Sequence, residues 1–360
     1  MPDGRRRIAV VGATGAVGRE ALRILAERSV PAERIEAIAS ERSSGEVLPY
    51  GTETVRVQAL TLDHLRRCDV ALFCADSEVA RTMAPVVSHA GGVAVDNSSA
   101  FRSDPRVPLV IPEVNGDALH TEPPPKLVAN PNCSTILLLV AVEPLRRAFG
   151  IERVVVSTYQ AVSGAGQRAI EELEQQTRAV LNGEPPRPSV FPEPCAFNVF
   201  NHESPIDPQT GLNGEEQKII AETRRIWGAP GARVVPTCAR VPVWRAHSQA
   251  VTLTLATPAS EHEVREALQS GSGVCAVDDR VAGRFPTPVR ASHRDPVFVG
   301  RVRPAPDEIP DAAGRVRTFC LWLSGDQLRK GAALNAIQII DALFGRDWLS
   351  GSTKEGVTSR

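Results

Sequence analysis

One cysteine of this 360-residue chain lies in a setting that suits nucleophilic chemistry. Cys133 follows the strand-like segment "KLVANPN" and precedes "STILLLVAVEPLRRAFG", a largely apolar run that predicts a helix ending at Gly150. At a helix N-terminus the dipole and the free N–H groups favour a thiolate. The alternative, a buried packing residue, is the expected role of most of the other six cysteines. Position therefore favours Cys133 as a nucleophile.

Three glycines near the N-terminus could bind a phosphate. Gly12, Gly15 and Gly18 follow a predicted strand, residues 8–11, and open a predicted amphipathic helix. Small residues there let the backbone approach a pyrophosphate, whose charge the helix N-terminus favours. A tight turn without a ligand is the alternative. The position between the first strand and the first helix favours a dinucleotide-binding turn.

The end of the second predicted strand, residues 34–40, bears on the choice of dinucleotide. An acidic residue here typically binds the ribose 2′-hydroxyl of NAD, whereas arginine and hydroxyl groups suit the 2′-phosphate of NADP. Ser40, Arg42, Ser43 and Ser44 suit the phosphate, and Glu41 keeps NAD open. We predict NADP, with a solvated polar loop as the alternative without a ligand.

Composition narrows the class of protein. With 42% hydrophobic and 23% charged residues the chain is predicted to be soluble and globular, and its length predicts two domains. A net charge of -1 gives no general attraction to nucleic acid or to an anionic membrane. Seven scattered cysteines predict reduced thiols in a cytoplasm, without disulfides or a metal site. We expect neither a secretion signal in "MPDGRRR" nor a membrane span.

Strands and helices alternate through the first third of the chain. After the second strand, further strands are predicted at residues 69–76, 91–102, 107–115 and 126–132, with a helix at 77–90. This order predicts an α/β fold with a Rossmann-like, doubly wound parallel sheet, which binds ligands at the carboxyl ends of its strands. Arg102 lies just past one such end.

The chain after residue 150 has the pattern of a second domain. A strand is predicted to run from residue 153 into a glycine-rich turn that ends at residue 166. Helices are predicted at 167–183 and 213–228, and residues 184–194 form a proline-rich surface crossing. Residues 232–256 are predicted to be paired strands with Arg240 and His247 at their bend, and a late strand precedes a closing helix at 329–345.

Seven motifs, in this order, resemble the aspartate-semialdehyde dehydrogenase family over essentially the whole chain. They are "GATGAVG", "NSSAFR" (97–102), "NPNCST" (130–135), "YQAVSGAG" (159–166), "EEQK" (215–218), "RVPVWRAHS" (240–248) and "KGAALNAIQI" (330–339). The resemblance implies NADPH-dependent reduction of L-aspartyl-4-phosphate to L-aspartate 4-semialdehyde with release of phosphate. The step belongs to the biosynthesis of lysine (through diaminopimelate), threonine, methionine and isoleucine.

The resemblance also implies roles for the catalytic residues. Cys133 would form a thioester, a covalent intermediate that splits one difficult step into two easier ones. His247 would be the general acid and base, although spacing alone favours a strand-end histidine without a catalytic role. Gln160 would orient the reacting carbonyl and the thiol, and its alternative is a polar strand terminus.

Substrate-binding residues are implied in the same way. Arg240 would bind the substrate carboxylate through a bidentate fork. Glu215 would meet the amino group, Lys218 and Arg102 would hold the phosphate, and Asn132 would complete the pocket. Because Glu215 and Lys218 are three residues apart on a predicted helix, a solvated salt bridge is the alternative for that pair.

For the cofactor, the resemblance implies a diphosphate turn and a nicotinamide side. The implied NADP contacts are Gly12, Thr14, Gly15, Ala16, Val17, Ser40, Arg42, Ser43, Ser163, Gly164 and Asn335. The match at Asn335 implies that the closing helix returns to the first domain. We therefore expect an NADP-binding domain from residues 1–132 and 330–360, and an inserted α+β catalytic and dimerisation domain from 133–329. A homodimer that uses the sheet of the inserted domain is expected.

Some residues depart from the family pattern. Ala246 stands where glycine is usual, residues 197–207 differ from the usual "FN-x-IP-H-I" form, and "FCAD" replaces the more usual "FSAG". None of these departures touches Cys133, Gln160, Arg240 or His247. Apart from them, two other functions stay open: another acyl-phosphate or acyl-CoA reductase on the same scaffold, and a non-catalytic paralogue. Cys133 and His247 are both present, which favours an enzyme.

Overall fold

The structure, a computed structural model, describes residues 6–345 and 348. Its contacts divide the chain into two compact units. Unit 1 contains the residues up to Pro131 and those from Ala332 onward, and unit 2 contains Asn132–Gly331. The N-terminal stretch on which we based the absence of a secretion signal begins with residues that lie outside the described part. The same holds for most of the chain after Gly345.

Unit 1 is built on a six-stranded parallel sheet. The strands of the chain up to residue 131 are β1 Ile8–Val11, β2 Ile35–Ala39, β3 Val47–Tyr50, β4 Glu53–Arg56, β5 Gln58–Ala59, β6 Val70–Phe73, β7 Val93–Asp96 and β8 Leu127–Ala129. The sheet has the order β5-β2-β1-β6-β7-β8, while β3 and β4 form a separate hairpin. The short, fully buried strands β1, β6 and β7 suit a parallel sheet that is covered on both faces. The order in which strands are added reverses between β1 and β6, which are themselves parallel, and such sheets bind ligands at this point.

Helices cover this sheet. They are α1 Ala16–Glu27, α2 Leu62–Arg67, α3 Ser77–His89 and the short α4 Pro112–Asn115. The prediction of a strand over residues 107–115 was wrong, because only Leu109 makes a single bridge, to Ala129. The Asn115 side chain accepts from the Ile111 N–H and donates to the Leu109 carbonyl, which closes a turn that a strand cannot contain. Pro112 occupies the first helical position, where its missing N–H costs nothing.

Unit 2 is built on a seven-stranded mixed sheet. Its strands are β9 Ile151–Gln160, β10 Phe200–Asn201, β11 Arg233–Arg240, β12 His247–Ala259, β13 Val274–Ala276, β14 Val297–Pro304 and β15 Val316–Gly325. They follow the order β10-β11-β9-β12-β15-β14-β13. The prediction that β11 and β12 pair with each other was wrong, because both pair with β9, which lies between them. Strand β9 therefore brings the end of β11 and the start of β12 to its own end at Gln160.

The helices of unit 2 are α5 Cys133–Phe149, α6 Gln167–Leu181, α7 Gly214–Ile226, α8 Glu261–Gln269 and α9 Pro288–Ala291. Helix α5 is apolar on every side from Ile136 to Val142, and its residues from Ser134 to Glu143 are all buried. A helix of this kind lies inside a protein rather than on its surface. Its first residue, Cys133, is thereby placed against the unit interior.

The closing helix begins with a π-helical turn, Arg329–Ala333, and continues as α10, Leu334–Phe344. Buried residues of α10, among them Ile337 and Ile340, pack in the core of unit 1 with Leu22 and Leu72. The described residues thus confirm an α/β fold that combines a doubly wound parallel sheet with a second, mixed-sheet unit. Within the described part of the chain, no helix combines the length and apolar character of a membrane span.

Candidate active site

Cys133 and His247 meet in unit 2. Cys133 is the first residue of α5, and Asn132 caps this helix by accepting the N–H groups of Ser134 and Thr135 at 2.9 and 3.1 Å. His247 is the first residue of β12, and its Nε2 lies 3.5 Å from the Cys133 Sγ. The structure thus brings together the predicted nucleophile and the predicted acid and base, which are 114 positions apart in the sequence.

The backbone determines which nitrogen of His247 carries the proton. The Ala161 N–H donates to Nδ1 over 3.0 Å, so the neutral ring carries its proton on Nε2 and directs it towards Cys133. His247 is fully buried. Burial, and then the positive charge of Arg240, lower the pKa of His247 to about 3. Near neutral pH the ring is therefore an uncharged hydrogen-bond donor that faces the thiol.

Arg240, the last residue of β11, is the buried cation of the site. Its Nη1 donates to the Ala161 carbonyl at 2.8 Å, and its guanidinium lies 5.3 Å from the centre of the Phe191 ring. A Cβ atom at Gly164 would lie only 3.2 Å from the His247 ring and 3.3 Å from Arg240 Nη1. Gly164 therefore leaves room for both side chains.

Glu215 and Gln160 form the polar wall next to Cys133. The Glu215 carboxylate accepts from Asn132 Nδ2 at 2.8 Å and from Gln160 Nε2 at 3.3 Å. Burial opposes its ionisation, but interactions with His202 and Lys218, together with these hydrogen bonds, lower the pKa of Glu215 to about 2. Its carboxylate is thus a buried negative charge.

The salt bridge that sequence spacing left open does form between Glu215 and Lys218. Lys218 Nζ lies 3.4 Å from Glu215 Oε2. The pair is not fully solvated, since the Glu215 side chain is 4% exposed and the Lys218 side chain 40%. Lys218 therefore keeps a face towards solvent, where it can meet an anionic ligand.

Several contacts of this site were missed from the sequence. Glu222, which lies one helical turn beyond Lys218 on α7, accepts a hydrogen bond from the Asn132 N–H at 2.6 Å. Glu203 and His202 lie against Arg240 at hydrogen-bond distance. The departure of residues 197–207 from the family pattern was the one signal that pointed to this segment.

Gln327 joins two loops of the site. Its Oε1 accepts the Ala246 N–H at 2.8 Å, and its Nε2 donates to the Ser163 hydroxyl. Ala246 has a φ of +71°, a left-handed conformation that glycine adopts more readily. The hydrogen bond from its N–H to Gln327 helps to hold this conformation, so the alanine does not displace His247 from its place opposite Cys133.

In unit 1, Arg102 lies at the carboxyl end of the parallel sheet. Its Nε donates to the Asn130 carbonyl at 2.9 Å and its Nη2 to the Asn97 carbonyl at 2.7 Å. Asn97 directly follows β7, and Asn130 directly follows β8. The half-buried guanidinium is therefore fixed where sheets of this type bind ligands.

The glycine turn of unit 1 fits a diphosphate. Gly12 has a φ of +85°, and a Cβ there would lie 2.5 Å from the Cys74 carbonyl oxygen. Helix α1 begins at Ala16 with Gly15 as its N-cap, and no side chain caps it or places an acid in its first turn. Its first N–H groups and positive dipole end are thus available to an anion. Thr14, Gly15, Ala16 and Val17 line this turn and are partly exposed.

The other predicted cofactor residues have different settings. Ser40 and Arg42 are exposed after β2, while Ser43 is buried and its N–H donates to the Ser40 carbonyl. Ser163 lies in unit 2, where its hydroxyl accepts a hydrogen bond from Gln327. Asn335 is fully buried in unit 1, where Nδ2 donates to the Val110 carbonyl and to Asn130 Oδ1. These contacts give the Asn335 side chain a structural role, and a contact with the cofactor stays a prediction.

Among the other cysteines, buried thiols are poor nucleophiles. Burial raises the pKa of the Cys68, Cys74 and Cys238 thiols to about 12 and that of Cys195 to about 11. All seven cysteines are unpaired by disulfides. The setting of Cys133, at a helix N-terminus beside a histidine, differs from that of these four thiols.

Two family models match the chain. The semialdehyde dehydrogenase NAD binding domain matches residues 7–122, and the semialdehyde dehydrogenase dimerisation domain matches residues 142–330. The second match alone covers more than half of the chain. The first match contains the glycine turn and the second contains Glu215, Arg240 and His247, while Cys133 lies between the two matched ranges.

Named relatives agree with these matches. The aspartate-semialdehyde dehydrogenase of Synechocystis sp. is 44% identical over 343 residues, which is 95% of this chain and 98% of that protein. A crystal structure of aspartate semialdehyde dehydrogenase II from Vibrio cholerae, complexed with ASA, has a TM-score of 0.87 and 40% identity. It covers 94% of this chain and 98% of its own. A probable aspartate-semialdehyde dehydrogenase from Pseudomonas aeruginosa has a TM-score of 0.84 and 31% identity, covering 95% and 99% of the two chains. The chain therefore belongs to the aspartate-semialdehyde dehydrogenase family.

Proposed function

We propose that the protein reduces L-aspartyl-4-phosphate to L-aspartate 4-semialdehyde with NADPH and releases phosphate. The observation that carries the proposal is the pairing of Cys133 with a neutral, donating His247 at 3.5 Å. Buried charges of both signs, Arg240 and Glu215, lie in the same unit and match a substrate with a carboxylate and an amino group. The reaction would serve the biosynthesis of lysine (through diaminopimelate), threonine, methionine and isoleucine, in the cytoplasm.

In the first step, the Cys133 thiolate attacks the acyl carbon of the acyl phosphate. A carbon–sulfur bond forms, the carbon–oxygen bond to phosphate breaks, and inorganic phosphate leaves with the electron pair. Arg240 binds the substrate carboxylate, Glu215 binds its amino group, and Gln160 orients the carbonyl. Lys218 stabilises the leaving phosphate, and the same role is proposed for Arg102.

In the second step, the thioester is reduced. A nicotinamide cofactor, when bound, would supply the hydride for this reduction. His247 donates its Nε2 proton to the carbonyl oxygen, which gives a hemithioacetal on Cys133. The proton then returns from that oxygen to Nε2 as the carbon–sulfur bond breaks, which releases the aldehyde and restores the thiolate.

The cofactor residues are proposed from the turn geometry of unit 1. Gly12, Thr14, Gly15, Ala16 and Val17 would hold the diphosphate at the uncapped start of α1. Ser40, Arg42 and Ser43 would bind the 2′-phosphate of NADP, since arginine and hydroxyl groups suit that group. Ser163 and Gly164 of unit 2 are proposed for the nicotinamide side. From the diphosphate turn, unit 1 is proposed as the NADP-binding domain, and from Cys133 and His247, unit 2 is proposed as the catalytic domain.

A homodimer is proposed from the open face of the mixed sheet in unit 2. Alternate residues of its central strands, including Val155, Tyr159 and Ala250, point away from the covered core. Tyr159 is 37% exposed although its ring contacts the tilted Trp322 ring, with 5.3 Å between the ring centres. A face of aromatic and small residues of this kind is typical of a protein–protein interface.

The test is phosphate-dependent reduction of NADP by the purified protein with L-aspartate 4-semialdehyde. Because thiolate attack starts the reaction, we expect Cys133→Ser to reduce kcat/KM by about 10³-fold or more. Cys275→Ser serves as the matched control, since Cys275 lies in β13 outside the site, and should keep wild-type activity. Activity that survives in Cys133→Ser would refute the thioester.

The same assay distinguishes two alternative functions from the proposed one. If folded wild-type protein binds NADP but is inactive with this aldehyde, the same assay with other aldehydes and with coenzyme A in place of phosphate tests a different acyl substrate. Inactivity with all of them would favour a non-catalytic paralogue.

A further inference from the structure

Arg240, the residue proposed to bind the substrate carboxylate, already holds a carboxylate of its own chain. Its Nη2 donates to Glu203 Oε1 at 2.6 Å and its Nε to Glu203 Oε2 at 3.2 Å. This is the bidentate geometry in which arginine binds carboxylates most strongly. One edge of the guanidinium is therefore occupied by an internal anion.

The sheet holds Glu203 close to this position. Strand β10 pairs with the end of β11, with Phe200 opposite Arg240. The His202 N–H then donates to the Cys238 carbonyl at 3.0 Å. Glu203 follows directly in the chain, so its backbone is anchored next to the arginine. The side chain, however, is 22% exposed, whereas that of Arg240 is 2% exposed, so Glu203 has room to turn towards solvent.

The charge of Glu203 is maintained by this contact. Burial opposes its ionisation, but the hydrogen bonds and charge of Arg240 outweigh burial and hold the pKa of the Glu203 carboxyl below its usual value. The positive charge of Arg240 and the negative charge of Glu203 therefore largely cancel in the electrostatic potential at the site. A substrate carboxylate thus meets a weaker positive potential than a lone arginine would provide.

We propose that Glu203 is a specificity-determining residue, an internal counter-ion that competes with the substrate carboxylate for Arg240. Substrate binding requires the Arg240–Glu203 pair to open or to share the guanidinium, which weakens binding of every ligand that carries a carboxylate here. The identity of that ligand rests on the proposed function, whereas the competition itself does not.

Glu203 is not needed to hold Arg240 in place. The arginine is the last residue of β11, its Nη1 donates to the Ala161 carbonyl at 2.8 Å, and its guanidinium lies against the Phe191 ring. Loss of the Glu203 charge should therefore leave the fork aimed at the site. A positioning role would predict the opposite kinetic effect, which makes the two roles separable.

The first experiment compares steady-state kinetics of Glu203→Gln with wild type. Glutamine keeps the shape and a hydrogen bond but removes the charge, so we expect KM for L-aspartate 4-semialdehyde to fall by roughly tenfold with kcat within about twofold. Glu203→Ala should lower KM in the same way. Glu193→Gln, an exposed glutamate of the proline-rich segment, is the matched control and should keep the wild-type KM. An unchanged or raised KM in both Glu203 variants would overturn the proposal.

A second experiment needs no substrate. Iodoacetate and iodoacetamide both alkylate a thiolate and release iodide, but only iodoacetate carries a carboxylate. Peptide mass spectrometry gives the two rates at Cys133 separately from those at the other cysteines. We expect the ratio of the iodoacetate rate to the iodoacetamide rate to rise by about fivefold or more in Glu203→Gln. An unchanged ratio would overturn the proposal, whereas a raised ratio in a protein inactive with the aldehyde would refute only the proposed substrate.

Discussion

At the scale of single residues, His247 shows how burial sets a chemical role. The ring is fully buried beside the Arg240 cation, and both surroundings oppose a second proton. The Ala161 N–H fixes the remaining proton on Nε2. The His247 side chain can thus donate its Nε2 proton to an oxygen that develops negative charge. Because the ring is uncharged, it needs no counter-ion in the buried site.

The same burial links His247 to acid stability. In the unfolded chain a histidine binds a proton near its ordinary pKa of 6.5, but in the folded protein only near 3, so between these values only the unfolded state gains the proton. The contribution of the uncharged His247 to the free energy of unfolding is complete above pH 6.5 and is lost as the pH falls towards 3. We expect wild type to lose up to about 1.4 kcal/mol more of its free energy of unfolding per pH unit than His247→Gln does.

Urea unfolding between pH 7 and 4 measures this difference. His262→Gln is the control, because His262 is an exposed histidine with a side chain 80% accessible, and it should follow the wild-type curve. Parallel curves for wild type and His247→Gln would contradict the conclusion that His247 is buried as an uncharged ring.

At the scale of elements, helix α1 and the turn before it depend on three glycines for different reasons. Gly12 has a positive φ and lies against the end of β6. A Cβ at Gly18 would lie 2.2 Å from the Gly12 carbonyl oxygen, so this glycine lets the helix pack on its own turn. Gly15 has an ordinary φ of −76°, and a Cβ there would lie 3.4 Å from the same oxygen. Only Gly15 could be replaced without a serious clash.

Alanine substitutions at Gly15 and Gly18 should therefore separate an effect on stability from an effect on cofactor binding. We expect Gly18→Ala to reduce the free energy of unfolding by about 1–3 kcal/mol, because the backbone must move. Gly15→Ala should change it by no more than about 0.5 kcal/mol. Gly15→Ala should instead weaken NADP roughly tenfold, because a methyl group would stand where the diphosphate approaches.

Urea unfolding and calorimetric titration with NADP give both quantities for each variant. If Gly15→Ala bound NADP as wild type does, the start of α1 would not be the diphosphate site. If Gly18→Ala were as stable as wild type, the close packing of α1 on its turn would not contribute to the fold.

At the scale of the whole molecule, the open sheet face of unit 2 is the surface that we propose for dimerisation. Ala250 lies at its centre, with Ser157 of β9 on one side and Trp322 of β15 on the other. Small side chains beside an aromatic pair allow a second sheet to approach closely. The match to a dimerisation domain over residues 142–330 covers these strands.

A charge at this centre should prevent dimerisation. We expect Ala250→Arg to be a monomer at micromolar concentration, because the guanidinium would be buried without a counter-ion. Leu181→Arg, at an exposed residue that ends α6, should keep the oligomeric state of wild type. Sedimentation velocity distinguishes monomer from dimer. If Ala250→Arg were still a dimer, the interface would not lie on this face of the sheet.

The sequence by itself determined the local structure and the candidates for chemistry. Short apolar runs and helical periodicity predicted β1, α1, α5 and α6 closely, because these patterns reflect interactions between residues that are near in the chain. The position of Cys133 at a helix start followed from the same reasoning. The glycine spacing likewise led to the turn whose close contacts the structure shows.

Only the tertiary structure decided which distant residues meet. The pairing of β11 and β12 with β9 rather than with each other depends on the order of strands in the sheet, and no local pattern encodes that order. The same holds for Glu222 at Asn132, Gln327 at Ala246 and Glu203 at Arg240. Their partners are 37 to 90 residues away, so they come together only when the chain packs. Residue types therefore indicated a thiol and a cofactor, and the family resemblance indicated the reaction, whereas packing set the protonation of His247 and placed the Glu203 carboxylate on Arg240.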